Sequence, residues 1–208
     1  MIILSKTSVY NFDNALRGAR NPMNSWDKSD SSFDDTGAYV LGPSDLQLAM
    51  RLCKAGSDHR KFMRQILVSV DILAPLYWWK EFDTYKVGTV ANSTSTMHKI
   101  HAKPFEKDDF SHDQLDDEGI AILLGLLNAL EKARNNYNAS KDTAEWYKII
   151  QLLPSSYNQL RTCTLSYENL VNMYHARNAH KLQEWRVFCG WVESLPYAKA
   201  LICFQPES

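Results

Sequence analysis

Polar residues crowd the stretch from 172 to 184, in a segment whose apolar positions recur at helical spacing, among them Asn172, His175, Arg177, Asn178, His180, Gln183 and Glu184. Arg177 lies four residues after Met173 and five before Leu182, so on a helix it sits beside the apolar stripe and not opposite it. A guanidinium placed there either runs its stem along the core edge with its head in water, or turns a planar fork of donors toward an anion. The second candidate is GTVANSTSTM, Gly88 to Met97. Its small residues leave backbone N–H groups accessible and its hydroxyls add donors, which suits phosphate oxygens, although a plain solvated turn has the same composition. Lys86, just ahead of it, would bring a compensating positive charge.

The histidines carry less. His98 and His101 form an HxxH, and His175 and His180 lie five apart, whereas helical zinc pairs use an i,i+4 spacing and a third ligand. Neither pair has a carboxylate or cysteine in the right pattern, and no metal site is expected. GxSxG, Walker, GxGxxG and HExxH patterns are all absent. The four cysteines (Cys53, Cys163, Cys189 and Cys203) are scattered without a CxxC, and read as reduced core residues.

Bulk composition narrows the class. The 208 residues, 45% of them apolar, suffice for one domain spanning 1–208. A net charge of −1 gives no basic field, so no nucleic-acid partner is expected. There is no run of eighteen apolar residues and the opening MIILSKTSVYNF lacks a signal-peptide pattern, so neither membrane span nor secretion is expected and the predicted location is cytoplasmic. Six Trp and ten Tyr point to ring-lined pockets or subunit interfaces, or merely to an aromatic core.

The elements that must position these residues follow from periodicity. Asn21 to Gly42 is a long irregular connection. Ser44, with Gln47 at the capping-box position, predicts a helix to Gly56 with Leu46, Ala49, Met50 and Cys53 on one face. A short helical piece covers His59 to Met63. Ile66 to Leu73 alternates as a strand that Pro75 ends, and the aromatic cluster from Leu76 opens a helix or turn leading to Lys86. Gly88 to Met97 is a loop by composition. Asp116 and Asp117 cap a helix that Asn135 to Ser140 break, with Ile120, Leu123, Leu124, Leu127 and Leu130 on its stripe. Thr143 to Leu153 is a helix stopped by Pro154. Ser166 or Thr164 then caps one long helix to about Glu193. The sum is α+β and mainly helical, several helices packed with a small antiparallel or mixed sheet.

The segment from Leu152 to Arg186, LLPSSYNQLRTCTLSYENLVNMYHARNAHKLQEWR, resembles the C-terminal part of flavin-dependent thymidylate synthases (ThyX). Leu153-Pro154, Thr164, Leu170, Asn172, Arg177 and Gln183 match that family's pattern in register without a gap. Upstream, ILVSVDILAP, LYWWKEFDTYK and VGTVANSTSTMH resemble its strand ending in Ala-Pro, its aromatic helix and its RHRxxSxNExSxRY signature; ALRGAR (Ala15 to Arg20) is similar to its opening segment. The RHR element itself is absent, with Thr84, Tyr85 and Lys86 in its place. Two registers then fit downstream. One places Asn92 and Ser95 on the signature's Asn and substrate-contacting Ser and is preferred, with Ser93 and Met97 on its Glu and Arg; the other uses Thr94 and Thr96. Ser166 and His175 stand where the family commonly has Asn.

The resemblance implies a homotetramer that binds FAD and dUMP at sites shared between subunits, takes a methylene from methylenetetrahydrofolate and hydride from NADPH, and uses no enzyme nucleophile. It assigns Arg177 to polarise the uracil ring, where negative charge develops. Ser95, Asn92, Gln183 and Arg161 become substrate contacts, and Lys86, Asn172, His175 and His98 cofactor contacts. Three functions stay open: a divergent one-carbon-transferring flavoenzyme of pyrimidine nucleotides, a catalytically inactive ThyX-like nucleotide-binding or structural protein, and an unrelated α+β interaction module.

Overall fold

The computed structural model describes residues 1–204, which fall into two compact units. The first comprises Met1–Ile3, Asp71–Thr84 and Asn92–Thr162; the second comprises Leu4–Val70, Tyr85–Ala91 and the described chain from Cys163 onward. In chain order the elements are β1 (Ile3–Tyr10), α1 (Phe12–Arg20), β2 (Ser32–Phe33), β3 (Tyr39–Val40), α2 (Pro43–Lys54), β4 (Leu67–Pro75) and α3 (Leu76–Phe82). There follow β5 (Val90–Ser93), α4 (Asp117–Ser140), α5 (Thr143–Leu152), β6 (Asn158–Ser166), α6 (Tyr167–Arg177), α7 (Gln183–Glu193) and α8 (Ala198–Leu201). The strands order as β1-β4-β6-β5, with β2-β3 a separate small hairpin. The class is α+β and mainly helical, as the periodicities predict.

In β4, Val68, Val70 and Ile72 are fully buried, and Pro75 closes the strand. In the first unit Ile100, Phe105, Phe110, Leu123, Leu130, Ala133 and Ile149 form one core cluster. Several boundaries differ from expectation, each for a physical reason. Residues 88–97 are not all loop: Val90–Ser93 is a strand, because pairing outweighs a composition of weak intrinsic preference. Asn135 to Ser140 do not break α4; Asn138 bonds His101 Nδ1 and Tyr137 packs edge-on against that imidazole, so tertiary contacts carry the helix to a left-handed Lys141 at φ 59°.

Ser44 is not the N-cap of α2. The helix begins at Pro43 after Gly42, and the Asp30 carboxylate accepts from the N–H groups of Ser44 (2.8 Å) and Asp45 (3.0 Å). A Cβ on Gly42 would stand 2.3 Å from Asp30, so this close approach requires glycine. The predicted single helix after Ser166 is two, α6 and α7. His180 Nδ1 accepts from Leu182 N–H (3.2 Å), and Arg186 donates to the carbonyls of His180 and Lys181 (3.0 and 3.1 Å). Side chains thus satisfy the freed backbone groups, and neither Gly nor Pro marks the interruption. Thr164 lies in β6, and Ser166 is the cap. The helix from Leu76 ends at Phe82, short of Lys86.

A buried ion pair organises the long connection from 21 to 42. Arg20 is 4% exposed and Asp45 0%. Arg20 Nε donates to Asp45 Oδ1 at 2.6 Å, and its other nitrogens donate to the carbonyls of Ser25 and Lys28 and to Ser44 Oγ. Asp45 Oδ2 accepts from the hydroxyls of Ser29 and Ser31 and from the N–H groups of Asp30 and Ser31. Burial alone would raise the Asp45 carboxyl pKa, but hydrogen bonds from Ser31, Ser29 and Arg20, with the Arg20 charge, outweigh it and hold it below the ordinary carboxylate value.

A carboxyl lowered by folding stabilises the native state above its unfolded pKa of about 3.9, and that contribution is lost as pH falls through the lower folded value. Asp45→Asn is expected to cost about 3–5 kcal/mol by leaving Arg20 unpaired in the interior. It also flattens the loss of stability below about pH 4. Urea melts at pH 3 to 7 check both; an acid limb as steep in the variant as in the parent would contradict the assignment.

Candidate functional site

Arg177 closes α6 in the second unit, and its guanidinium is held by rings. Its Nε donates to the Tyr85 hydroxyl at 2.9 Å. Its guanidinium carbon lies 4.9 Å from the Trp185 ring centre and 5.6 Å from that of Tyr85. The two rings meet edge-on at 6.1 Å. Trp185 is fully buried, with Phe188 edge-on behind it. The side chain neither snorkels nor stands loose. It is a partly buried cation whose plane is fixed by π faces and one phenol.

Tyr85 is set in turn by Asn169. The Asn169 Oδ1 accepts from the Ser166 N–H (3.0 Å) and hydroxyl (2.7 Å), while Ser166 Oγ accepts from Asn169 N–H, a reciprocal capping box at the start of α6. The Asn169 Nδ2 donates to the Val87 carbonyl at 2.6 Å. Gly88 follows at φ 77°, and an added Cβ would stand 3.2 Å from Asn169 Oδ1. Thr89 Oγ1 donates to the Tyr85 carbonyl and closes the turn. One amide therefore ties helix start and turn together, and the turn presents Tyr85 to Arg177.

The other candidates in this unit are placed differently. Gln183 opens α7 two residues before Trp185, so it begins the helix that meets Arg177. Asn172 and Lys86 are exposed. His175 does not join Arg177: its Nε2 bonds the Ile202 carbonyl at 3.0 Å, and its ring packs against Tyr174 and Phe204. That geometry uses the Nε2–H tautomer in holding α6 to the C-terminal segment.

In the first unit Arg161 stacks over Trp79 at 4.2 Å and donates to Asp83 (2.7 Å) and to Gln159 Oε1 (3.0 Å). The Gln159 amide donates to the Thr94 carbonyl at 2.7 Å, and Thr94 N–H donates to the Leu160 carbonyl. Ser95 Oγ accepts from the N–H groups of Met97 and His98, and Trp146 Nε1 donates to the Met97 carbonyl. Ser95, His98 and Arg161 are thereby joined through a single turn anchored at Thr94 and Met97. Asn92 lies exposed in β5 just ahead of it. The Arg161 charge is already met by Asp83, which makes it a fixed strut more than an open anion receptor.

No group of three or more His, Cys, Asp or Glu among the described residues could hold a metal, and none of their helices is long and apolar enough to cross a membrane. Cys53 and Cys189 are buried, and burial pushes each thiol up to about 12, so both are inert as nucleophiles. Sequence reasoning missed Asn169, read Gly88 only as the start of a candidate loop, and gave Trp185 no part in the site. The Ser166-x-x-Asn169 spacing is a capping-box signal, and a lone glycine just past the predicted helix marks the turn.

No family model matches the chain, and no curated protein does. Solved structures do match in fold. A flavin-dependent thymidylate synthase ThyX from Helicobacter pylori, complexed with FAD and dUMP, aligns with a TM-score of 0.67 at 16% identity, over 97% of each chain. A UMP/dUMP methylase, PolB from Streptomyces cacaoi, bound with 5-Br dUMP, aligns at 0.62 and 15% identity, over 98% of this chain and 96% of that one. This chain has the ThyX fold.

Replacing Asn169 removes the partner of the Val87 carbonyl and half of the capping box. Asn169→Ala is expected to destabilise by about 2 kcal/mol, and to loosen Tyr85. Denaturant melts with Tyr85 amide exchange check it; unchanged exchange at Tyr85 would detach the turn from the helix cap.

Proposed function

We propose that the chain is a divergent flavin-dependent thymidylate synthase-like enzyme, one domain over 1–208, that transfers a one-carbon unit to a pyrimidine deoxynucleotide of the dUMP class. The observation that carries the reading is the match in fold, over 97% of each chain, to a ThyX solved with FAD and dUMP. The ring-held Arg177 supports it locally, because a cation fixed before substrate arrives needs no reorganisation as charge develops on a pyrimidine ring.

In this reading Arg177 polarises the base. Ser95, Asn92, Gln183 and Arg161 contact the nucleotide, with Arg161 acting through the turn it braces. Toward FAD the donor set is lean: Lys86 is the one cation in the Thr84-Tyr85-Lys86 segment, and Tyr85 is engaged with Arg177. Lys86, Asn172 and His98 are exposed and fit as holding groups, and His175 supports α6 from behind. FAD, when bound, would supply the redox chemistry, with NADPH as reductant and methylenetetrahydrofolate as one-carbon donor. A homo-oligomer is part of the reading.

Purified protein, or protein given FAD, is expected to show flavin absorbance. Saturating dUMP at about a hundred times Kd is expected to add roughly 2.7 kcal/mol of stability, and Arg177→Ala to abolish that shift. A colourless protein that refuses FAD yet shifts with dUMP would replace the enzyme by an inactive nucleotide-binding protein. The absence of any shift with pyrimidine nucleotides would overturn both.

A further inference from the structure

In the second unit α1 packs on the Arg60–Arg64 turn, and beside them lies a cavity of about 540 Å³. Its wall carries two arginines, Arg17 and Arg64, the half-exposed indole of Trp26, and no carboxylate. Arg20, Arg60 and Arg134 each sit in an ion pair, as does Arg161, whereas Arg17 and Arg64 have no carboxylate within ion-pairing distance among the described residues. The rest of the polar wall is amide, from Asn11, Asn14, Asn21 and Gln65.

These side chains are exposed, yet most of them are tied. Trp26 Nε1 donates to Asn21 Oδ1 at 2.9 Å. Arg17 donates to Asn14 Oδ1 at 2.7 Å, Asn14 to Asn11 Oδ1 at 2.9 Å, and Asn11 to the Gln65 carbonyl at 2.9 Å. The backbone at Ser25, next to Trp26, is held by Arg20. A Cβ on Gly18 would stand 3.3 Å from Gln65 Oε1, the end of an exposed side chain on the same wall. An adjoining cavity of about 800 Å³ shares Gly18, Asn21, Arg64 and Gln65 and adds Arg51, Lys61, His59 and the carboxylate of Asp58.

We propose that this cavity is a binding site for a phosphate ester bearing a planar base, with Arg17 and Arg64 on the phosphate and the base stacked on Trp26. Guanidinium forks match phosphate oxygens, and an indole face accepts any base at little cost in specificity. Holding the ring and Arg17 in place beforehand removes ordering cost on binding. A free mononucleotide and the nucleotide half of a dinucleotide share this chemistry. The site stands independently of the role given to Arg177.

Isothermal titration of the full chain with AMP, NADPH and inorganic phosphate tests it. AMP is expected to bind about tenfold more tightly than phosphate, Arg64→Glu to weaken AMP about tenfold, and Trp26→Ala to bring AMP down to the phosphate value. Arg17→Ala serves as the second variant, and unchanged melting midpoints verify that these surface substitutions fold. NADPH binding more tightly than AMP assigns the nucleotide half of a dinucleotide; AMP at least as tight assigns the mononucleotide. Arg177→Ala leaves AMP binding unchanged whatever becomes of dUMP, which separates this site from the proposed pyrimidine site. AMP affinity unchanged in both Arg17→Ala and Arg64→Glu would overturn the proposal, as would AMP and dUMP binding lost together in Arg64→Glu.

Discussion

The buried pair of Arg20 and Asp45 is the constraint on which the N-terminal part of the second unit depends. Two opposite charges taken out of water stabilise little by themselves, and the arrangement is tenable only when nearly every remaining donor and acceptor is met. Here they are, by three backbone carbonyl or N–H segments and three serine hydroxyls drawn from 25 to 44. The requirement works in the other direction too. A connection whose strands are only the two-residue β2 and β3 has one arrangement that satisfies both ions, and so it acquires a defined course. Trp26 owes its position to that course.

Arginine is used in three ways, and the differences are physical. Arg20 is paired with a carboxylate away from solvent, and its charge is spent on structure. Arg161 is stacked on Trp79 and paired with the half-exposed Asp83, bracing the turn that contains Ser95. Arg177 is oriented by the Tyr85 phenol and two ring faces. The π faces and the phenol fix the plane of the guanidinium, which sets the direction in which its donors point.

What could be read in the chain beforehand follows the same logic. The alternation through Val68, Val70 and Ile72, the Asp116 cap and the Pro154 stop report local preferences that the fold keeps, so they were legible. The spacing from Leu153 to Gln183 carried the ThyX fold at an identity where no family model responds. Boundaries decided by side chains from distant positions were not legible. Asp30 caps α2 from fourteen residues away, His101 carries α4 through a run of poor helix formers, and His180 with Arg186 splits an apparently continuous helix. The strands β1 and β6 and the helix α1 went unread, since the exposed face of β1 and the mixed polarity of β6 blur the period-two signal. Within the candidate site Arg177 was legible as a cation in the wrong place for packing, whereas its holder Asn169 looked like one more polar helix residue.

Asn169 also limits how this chain can change over time. Its carbonyl oxygen serves the cap at Ser166 and its NH2 group serves the Val87 carbonyl, so both ends of one planar amide are committed. Aspartate would preserve the cap but set a carboxylate oxygen against a carbonyl oxygen. Serine would preserve a cap acceptor and fall short of the turn. Glutamine would carry both groups one methylene too far into the space that Gly88 leaves. Substitutions at 169 and in the 85–89 turn therefore cannot accumulate one at a time without passing through a strained intermediate. Among divergent chains of this fold, the identities at those two places should vary as a linked set.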